Sequence, residues 1–497
     1  MPLARPKASG NGSTAVACVL SIMALVGVGI ASSSPALATR LPTVVVTVGA
    51  AGHGARVPSR PLGLSFDVST AARLARYSTT GNLATLLREL GPGVLRLSGN
   101  SVDLDTAWVP SGGKAPAWAT STITPDDLRG IAKLSAETNW DIVLGIGLGH
   151  FNPLAAAREV ATASRILGPH LLAIEIGNEP DEYPAVGIRS QLTWDYDRYL
   201  AEFSAYRTAI LSLTPRVPIE GPDVVASLGS IKWISAFSHL HGLAALTAHY
   251  YPFAACGPAR SASTIHDLLD ATTLHKTQVR LSRLGAIARS AGLRLRVSEA
   301  NSASCGGTAG VSNTFASALW TLTFLTQALH AGLSGVNFQT IPSICTGYSA
   351  LCTPTARDTR LGLLTVEPQY YALLLARSVA GGRLLTSSVQ PSSSSLDVTP
   401  FVTRNGQLED LVVNTGSSPV RVTLKSGPVD GAATELFMQA PGLQAESGVT
   451  LGGTATRANG TWAPGPLPQL ALTSHGAIAI VVPGASAVLV TETHANP

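Results

Sequence analysis

An apolar run that stops on an acid is the first sign of chemistry in this chain. Leu171-Leu-Ala-Ile-Glu-Ile-Gly-Asn-Glu-Pro-Asp181 closes on Gly177, Asn178, Glu179 and Pro180. It reads as a buried strand that delivers a carboxyl group to a rim. A second delivery, Leu293-Arg-Leu-Arg-Val-Ser-Glu-Ala-Asn301, brings Glu299 to a strand end 120 residues later. Two carboxyls held roughly 5 Å apart by different strands suit retaining cleavage of a glycosidic bond, one acting as acid/base and the other as nucleophile. A lone Glu is ordinarily half of a surface salt bridge. Asn178 and Pro180 restrict the backbone around Glu179, and a second acid ends a later strand, so catalysis is the stronger reading.

Such a pair needs a scaffold that points strand ends at one another. From about Arg60 short β-type runs alternate with longer helical ones, the pattern of βα units. The runs Leu62–Phe66, Val94–Ser98, Ile142–Gly147, Leu172–Gly177, Val217–Gly221, Leu246–Tyr250, Leu295–Ser298 and Val336–Gln339 predict eight strands. Helices are predicted near 82–90, 125–138, 153–167, 190–212, 231–240, 263–290, 311–331 and 368–379. Eight of each predicts an α/β fold of the (β/α)8 TIM-barrel type, whose active face lies at the strand C-terminal ends. Glu179 then ends the fourth strand and Glu299 the seventh, across the barrel from each other. Asp67, Asn100 and Gln339 end the first, second and eighth strands, which makes them candidates for sugar hydroxyls or turn caps. Arg96 on the second strand is placed to support an ionised nucleophile, and Tyr250 at the end of the sixth to hydrogen-bond Glu299. Asn178 is the natural contact for a sugar 2-hydroxyl.

After Ala380 the pattern changes. Ser387 to Ser395 reads as a Ser-rich turn region, followed by alternating runs at Ser395–Val402, Leu411–Asn414, Val420–Leu424, Ala477–Pro483 and Ala487–Thr491. These predict a C-terminal antiparallel β-sandwich. The Val- and Thr-rich stretch Leu41–Gly49 is β-prone and is expected to pack on that sandwich. The expected organisation is a signal peptide over 1–38, an N-terminal β segment over 39–60, a catalytic barrel over 61–380 and a sandwich over 381–497.

Composition fits this picture. A chain of 497 residues, 45% of them hydrophobic, can bury more than one core. The leader has a basic start at Arg5 and Lys7, an apolar stretch from Ala15 to Ala31, and Ala36-Leu37-Ala38 as a cleavage pattern. That predicts export, with no stable membrane anchor after cleavage. Without the leader 32 basic residues face 30 acidic ones, and no Lys/Arg run suggests nucleic acid as a partner. Four cysteines follow Cys18, namely Cys256, Cys305, Cys345 and Cys352. An even number in an exported chain fits two disulfides, with three pairings open. No CxxC or His cluster points to a metal, and no organic cofactor is called for.

Three motifs carry a family resemblance. Ile176-Gly-Asn-Glu-Pro-Asp181, Ala248-His-Tyr-Tyr251 and Ser298-Glu-Ala-Asn-Ser302 resemble glycoside hydrolase clan A. Cys305-Gly-Gly-Thr-Ala-Gly-Val-Ser-Asn-Thr-Phe-Ala-Ser-Ala-Leu-Trp320 and Arg96-Leu-Ser-Gly-Asn100 resemble family 79, the β-glucuronidase and heparanase group. The resemblance implies that Glu179 is the acid/base and Glu299 the nucleophile, and that the loop at Gly306 wraps the sugar's C5 substituent. It implies a retaining β-glucuronidase acting on a glucuronide-containing glycan or glycoconjugate. The alternatives are another clan A β-glycosidase, such as a β-xylosidase or β-glucosidase, or an endo-acting heparanase-like enzyme. A non-catalytic carbohydrate-binding protein on the same scaffold is the remote one.

Overall fold

The computed structural model describes residues 41–49, 54–257, 263–343, 345–426, 432–473 and 476–492. The predicted leader lies outside the described residues.

Eight parallel strands close a barrel. They are β1 Leu62–Asp67, β2 Val94–Ser98, β3 Asp141–Ile146, β4 Leu171–Ile176, β5 Ile219–Val225, β6 Ala245–Tyr250, β7 Leu295–Ala300 and β8 Val336–Gln339. Each pairs with its neighbours in sequence, and β8 returns to β1 through Gln339 opposite Ser65. Leu95 and Leu97 of β2, like Leu246 and Ala248 of β6, join the apolar layer beneath the helices. The alternate positions differ from an ordinary barrel filling of branched apolar residues. Arg96, Glu175, Glu220, Asp223, His249 and Arg296 are all buried.

The helices form where capping residues let them start. Thr124 and Asp127 make a reciprocal capping box ahead of Pro125–Thr138, and the Asn152 side chain caps Pro153–Leu167. The helical stretch expected over 263–290 breaks at Asp270, giving Ile265–Leu269 and Ala271–Ala291. Asp270 adopts an extended backbone there and accepts the N–H groups of Thr272 and Thr273. Helix Phe315–His330 is apolar on nearly every side because it is covered on nearly every side. Trp320 and Phe324 pack near Phe338 of β8, while Thr326 donates to Asp397 beyond the barrel at 3.1 Å.

Past the barrel two sheets enclose a separate apolar core that includes Val44, Val46, Val412, Val422, Ile480 and Val488. One sheet holds Ser387–Gln390, Thr43–Val48, Val420–Lys425 and Ile478–Val482; the other is built around Leu396–Val402, Leu408–Asn414, Ser486–Glu492 and Ala433–Gln439. Thr43–Val48 runs parallel to Val420–Lys425, and the other pairings in these sheets are antiparallel. Ser387–Gln390, expected as part of a turn region, is instead a strand on the edge of its sheet. Its serines are largely exposed, so it carries no apolar alternation for a sequence reading to detect.

Disulfides join Cys256 to Cys305 and Cys345 to Cys352, consistent with an oxidising compartment. The first ties the segment after β6 to the segment after β7, where Phe253–Ala254 and Ala303–Ser304 also pair. Among the described residues no helix is long and apolar enough to cross a membrane.

Candidate active site

The end of β4 turns sharply. Gly177 takes φ 80°, and a Cβ there would stand 2.6 Å from the Tyr183 hydroxyl, so only glycine fits. Glu179 itself adopts a left-handed φ of 48°, uncommon for a residue with a side chain, and its N–H donates to the Asp223 carbonyl at 2.9 Å. Strain of this kind persists where the surroundings enforce it. Glu299 arrives more simply, as a residue within β7 that stands in register with His249 of β6.

The two acids meet. One carboxylate oxygen of Glu179, one of Glu299 and a ring nitrogen of His249 all lie within 4.8 Å of one another. Arg96 organises the space beneath them. It is fully buried, and its nitrogens donate to Glu175 at 2.7 Å, Ser65 at 3.0 Å, Glu299 at 2.8 Å and Asn178 at 3.0 Å, and also to Asp223. The second oxygen of Glu299 accepts the Tyr251 hydroxyl at 2.7 Å. His249 sits between two acids, Nδ1 2.9 Å from Glu179 and Nε2 3.1 Å from Asp223.

Charge in this cluster is set by burial against pairing. Burial opposes a charge on His249, but Asp223 and then Glu299 outweigh it and hold the imidazolium well above the ordinary histidine range. Asp223 is likewise desolvated, yet Arg96 and His249 hold its carboxyl well below the usual range. Glu175 moves the opposite way. Its burial is only partly offset by Arg96, and the nearby Asp223 charge pushes it further up. Burial and the Glu299 charge raise Tyr251 well above an ordinary phenol. As an imidazolium, His249 uses both ring nitrogens as donors. The Glu179, His249 and Glu299 atoms are close enough to be ligands, but a metal ion there would have to displace the proton that His249 shares with its acidic neighbours.

The sequence-derived candidates are distributed unevenly around this centre. Asn178 is in it, accepting from Arg96, donating its side-chain amide to Asn100 Oδ1 at 2.9 Å and holding its own backbone through Asp103 at 2.7 Å. Asn100 and Asn178 line a small groove with Glu179. Asp67 accepts the N–H groups of Ser69 and Ser101 and both of their hydroxyls, so its carboxylate caps the turns after β1 and β2. Gln339 is buried; its carbonyl accepts from Asn301 at 2.9 Å, and its Oε1 has no partner among the described residues. Gly306, at φ 89°, accepts the Tyr348 N–H at 3.0 Å, and Tyr348 stacks on Tyr251 with ring centroids 6.0 Å apart.

The hydrogen bond expected of Tyr250 is made by Tyr251 instead. Tyr250 points the other way, its hydroxyl 2.9 Å from Thr277 and its ring stacked on Phe324. Strand alternation explains this. Thr247, whose hydroxyl accepts the Asp223 N–H at 3.0 Å, shares the inward face with His249, and Tyr251 continues it, whereas Tyr250 belongs to the helix-packed face. Asp223 is not among the sequence candidates, because the sequence pattern ends the fifth strand at Gly221. The strand continues through Pro222 to Val225 and carries Asp223 to the centre of the network.

Comparison with solved structures places the same architecture in glycoside hydrolases. A 4-O-α-L-rhamnosyl-β-D-glucuronidase from Fusarium oxysporum matches at TM-score 0.72 and 17% identity, over 90% of this chain and 100% of that one. A family 51 α-L-arabinofuranosidase from Bifidobacterium longum matches at TM-score 0.67 and 16% identity, over 91% of this chain and 100% of its own. A family 51 arabinofuranosidase from Xanthomonas axonopodis pv. citri gives 0.65 and 14%, with coverages of 91% and 100%. At these identities the likeness establishes the fold alone. No protein-family model matches the chain, and no curated protein matches its sequence.

Proposed function

We propose that this protein is an exported retaining glycoside hydrolase and that its substrate is a terminal β-linked glucuronide. The observation that carries the reading is the approach of Glu179 and Glu299 oxygens to within 4.8 Å at the ends of β4 and β7. Retention needs carboxyls about 5 Å apart, whereas inversion needs roughly 6.5–9.5 Å to admit a water molecule.

In the first step Glu299 attacks the anomeric carbon while Glu179 gives its proton to the departing glycosidic oxygen. The C–O bond to the aglycone breaks and an ester to Glu299 forms. Glu179, now a carboxylate, faces the Nδ1–H of His249, which stabilises that charge. In the second step Glu179 takes a proton from water, whose oxygen displaces Glu299 and releases the sugar. Asn178 retains one amide hydrogen beyond the one given to Asn100, and that hydrogen would meet the 2-hydroxyl.

The glucuronide assignment rests on the motif resemblance and on one structural neighbour, a 4-O-α-L-rhamnosyl-β-D-glucuronidase. One observation favours a second reading, a neutral β-glycoside. Every nitrogen of Arg96 is committed to a protein acceptor and the Tyr251 hydroxyl hydrogen is committed to Glu299, so a uronate would have to be held by other donors, such as backbone N–H groups. A panel of p-nitrophenyl β-glycosides separates the two. The highest kcat/KM is expected on the glucuronide; preference for the glucoside or xyloside would transfer the assignment to a neutral sugar. Glu299→Ala should abolish turnover, with azide partly restoring it as an α-glycosyl azide. Full activity in Glu299→Gln would end the retaining mechanism.

A further inference from the structure

A cavity of about 470 Å³ is lined by the segments after β2 and β3 and by helix Pro153–Leu167. Leu104 lines the groove beside Glu179, and its carbonyl accepts His150 Nε2 at 3.0 Å, while His150 lines the cavity. We propose that this cavity is a second ligand site that takes an organic cation with an aromatic or apolar body.

The proposal begins with Glu159. Helix Pro153–Leu167 buries Ala156, Ala157, Val160, Ala163 and Leu167, and in that apolar stripe it also places an acid. Glu159 is 7% exposed and lines the cavity, yet no described residue hydrogen-bonds it or pairs with its charge. A buried carboxyl without a partner is costly and uncommon. Burial alone moves its pKa, up to about 8. The other titratable groups lining the cavity are His150, from the segment between β3 and this helix, and Tyr206, from helix Tyr196–Leu213. His150 is engaged with Leu104, and the Tyr206 hydroxyl accepts the Asn152 N–H at 2.7 Å and is pushed up to about 12 by burial. The segments from the β2 side, Val102, Thr106–Trp108, Pro116, Trp118 and Ile123, line the cavity without a charged group.

The remaining walls select the ligand. A sugar ring would bring several hydroxyls, but two of the lining polar side chains are already engaged. Thr106 is bonded to Ser121 at 2.6 Å, and Asn152 Oδ1 caps the Ala155 N–H. A polyol would leave most of its hydroxyls unpaired, which disfavours it. Aromatic rings, by contrast, are abundant. Trp118 stacks on His150 at 3.6 Å to form one wall, and Trp108, Phe151 and Tyr206 form others. Ring faces attract cations, and an ammonium group would supply the charge that Glu159 lacks.

Cation binding requires the carboxylate, so it must expel the proton that Glu159 holds at neutral pH. With a pKa of about 8, uptake of a cation at pH 7 should release roughly nine-tenths of a proton per ligand. The test is calorimetric titration of the full chain with benzylamine, benzyl alcohol and methyl glucoside in buffers of different ionisation enthalpy. Benzylamine is expected to bind at least about tenfold more tightly than the alcohol, with that proton release. Glu159→Gln should remove both the preference and the release, Trp118→Ala should weaken binding while keeping the release, and Glu299→Gln should change neither. Equal binding of amine and alcohol, tighter binding of methyl glucoside, or amine binding that survives Glu159→Gln would overturn the proposal. So would no binding of benzylamine to protein shown to be folded by circular dichroism.

Discussion

Tyr250 and Tyr251 are adjacent, chemically identical and oppositely directed, so deleting one hydroxyl at a time gives a controlled comparison. Tyr251 donates to Glu299 at 2.7 Å, and that acceptor is the proposed nucleophile. A hydrogen bond to a charged group is worth about 1.5–3 kcal/mol. If that stabilisation is used in the reaction, Tyr251→Phe should lower kcat/KM by roughly 10- to 150-fold. Tyr250 lies 2.9 Å from a neutral partner, Thr277, and packs on Phe324 of the helix layer. Tyr250→Phe should therefore cost about 0.5–1.5 kcal/mol of stability and leave kcat/KM within about twofold of the parent. The assay is steady-state hydrolysis of the best p-nitrophenyl glycoside, with a denaturation curve for each variant. Equal kinetic losses in the two variants, or a larger loss in Tyr250→Phe, would refute the assignment of faces in β6.

Other consequences follow from the buried charges and the rim. Burial and the Asp223 charge both push Glu175 upward, so Glu175→Gln should lower the denaturation midpoint less than Asp223→Asn, which strips the counter-charge from Arg96 and His249 and should cost about 3–5 kcal/mol. Glu159 has a folded pKa of about 8 against an ordinary 4.5, so the folded state holds a proton that the unfolded state has lost between those values. Its contribution is intact below pH 4.5 and is lost as pH rises, at up to about 1.4 kcal/mol per unit, until pH 8. Glu159→Gln should therefore be more stable than the parent at pH 8 to 9, and chemical denaturation across that range measures it. Cys305→Ala unties the loops after β6 and β7 that carry Tyr251 and border Glu299. It should raise KM several-fold with less effect on kcat, a split that steady-state kinetics resolves.

The barrel is legible in the sequence because its strands are buried on one side by helices and separated by capped turns. Apolar residues at alternate positions survive in β2 and β6 even though the intervening residues are charged. Glu179 and Glu299 are legible because an acid directly after such a run is conspicuous. The misses have local causes. β5 contains Gly221 and Pro222, which ordinarily end a strand, so a sequence reading stops short of Asp223. Nearness to the strand end favours Tyr250 over Tyr251, although counting by twos from His249 selects Tyr251. Ser387–Gln390 is an edge strand whose partner, Thr43–Val48, lies more than 300 residues earlier, and no local pattern encodes that pairing. Nor does any local pattern in Glu159 show that its neighbours leave it without a partner.

The proposed mechanism asks two glutamates with the same chemistry to do different work, and the residues around them differ in a way that supports the division. Glu299 faces a guanidinium and a phenol. Both are donors that keep their protons far above neutral pH, Arg96 despite its burial because Asp223, Glu175 and Glu299 surround it, and Tyr251 because burial and Glu299 disfavour the phenolate. Neither can exchange a proton with Glu299 during turnover, which suits a group that must attack as an anion. Among the described residues Glu179 faces a single side-chain donor, the Nδ1–H of His249, where Glu299 has two. Asp223 joins the two halves, pairing with Arg96 on one side and His249 on the other. That connection gives a reason for so many charges along a barrel axis, where apolar side chains would pack at lower cost. Removing Arg96 or His249 would take a donor from one of the two proposed catalytic carboxyls, so the proposed reaction gives these charges a role beyond packing.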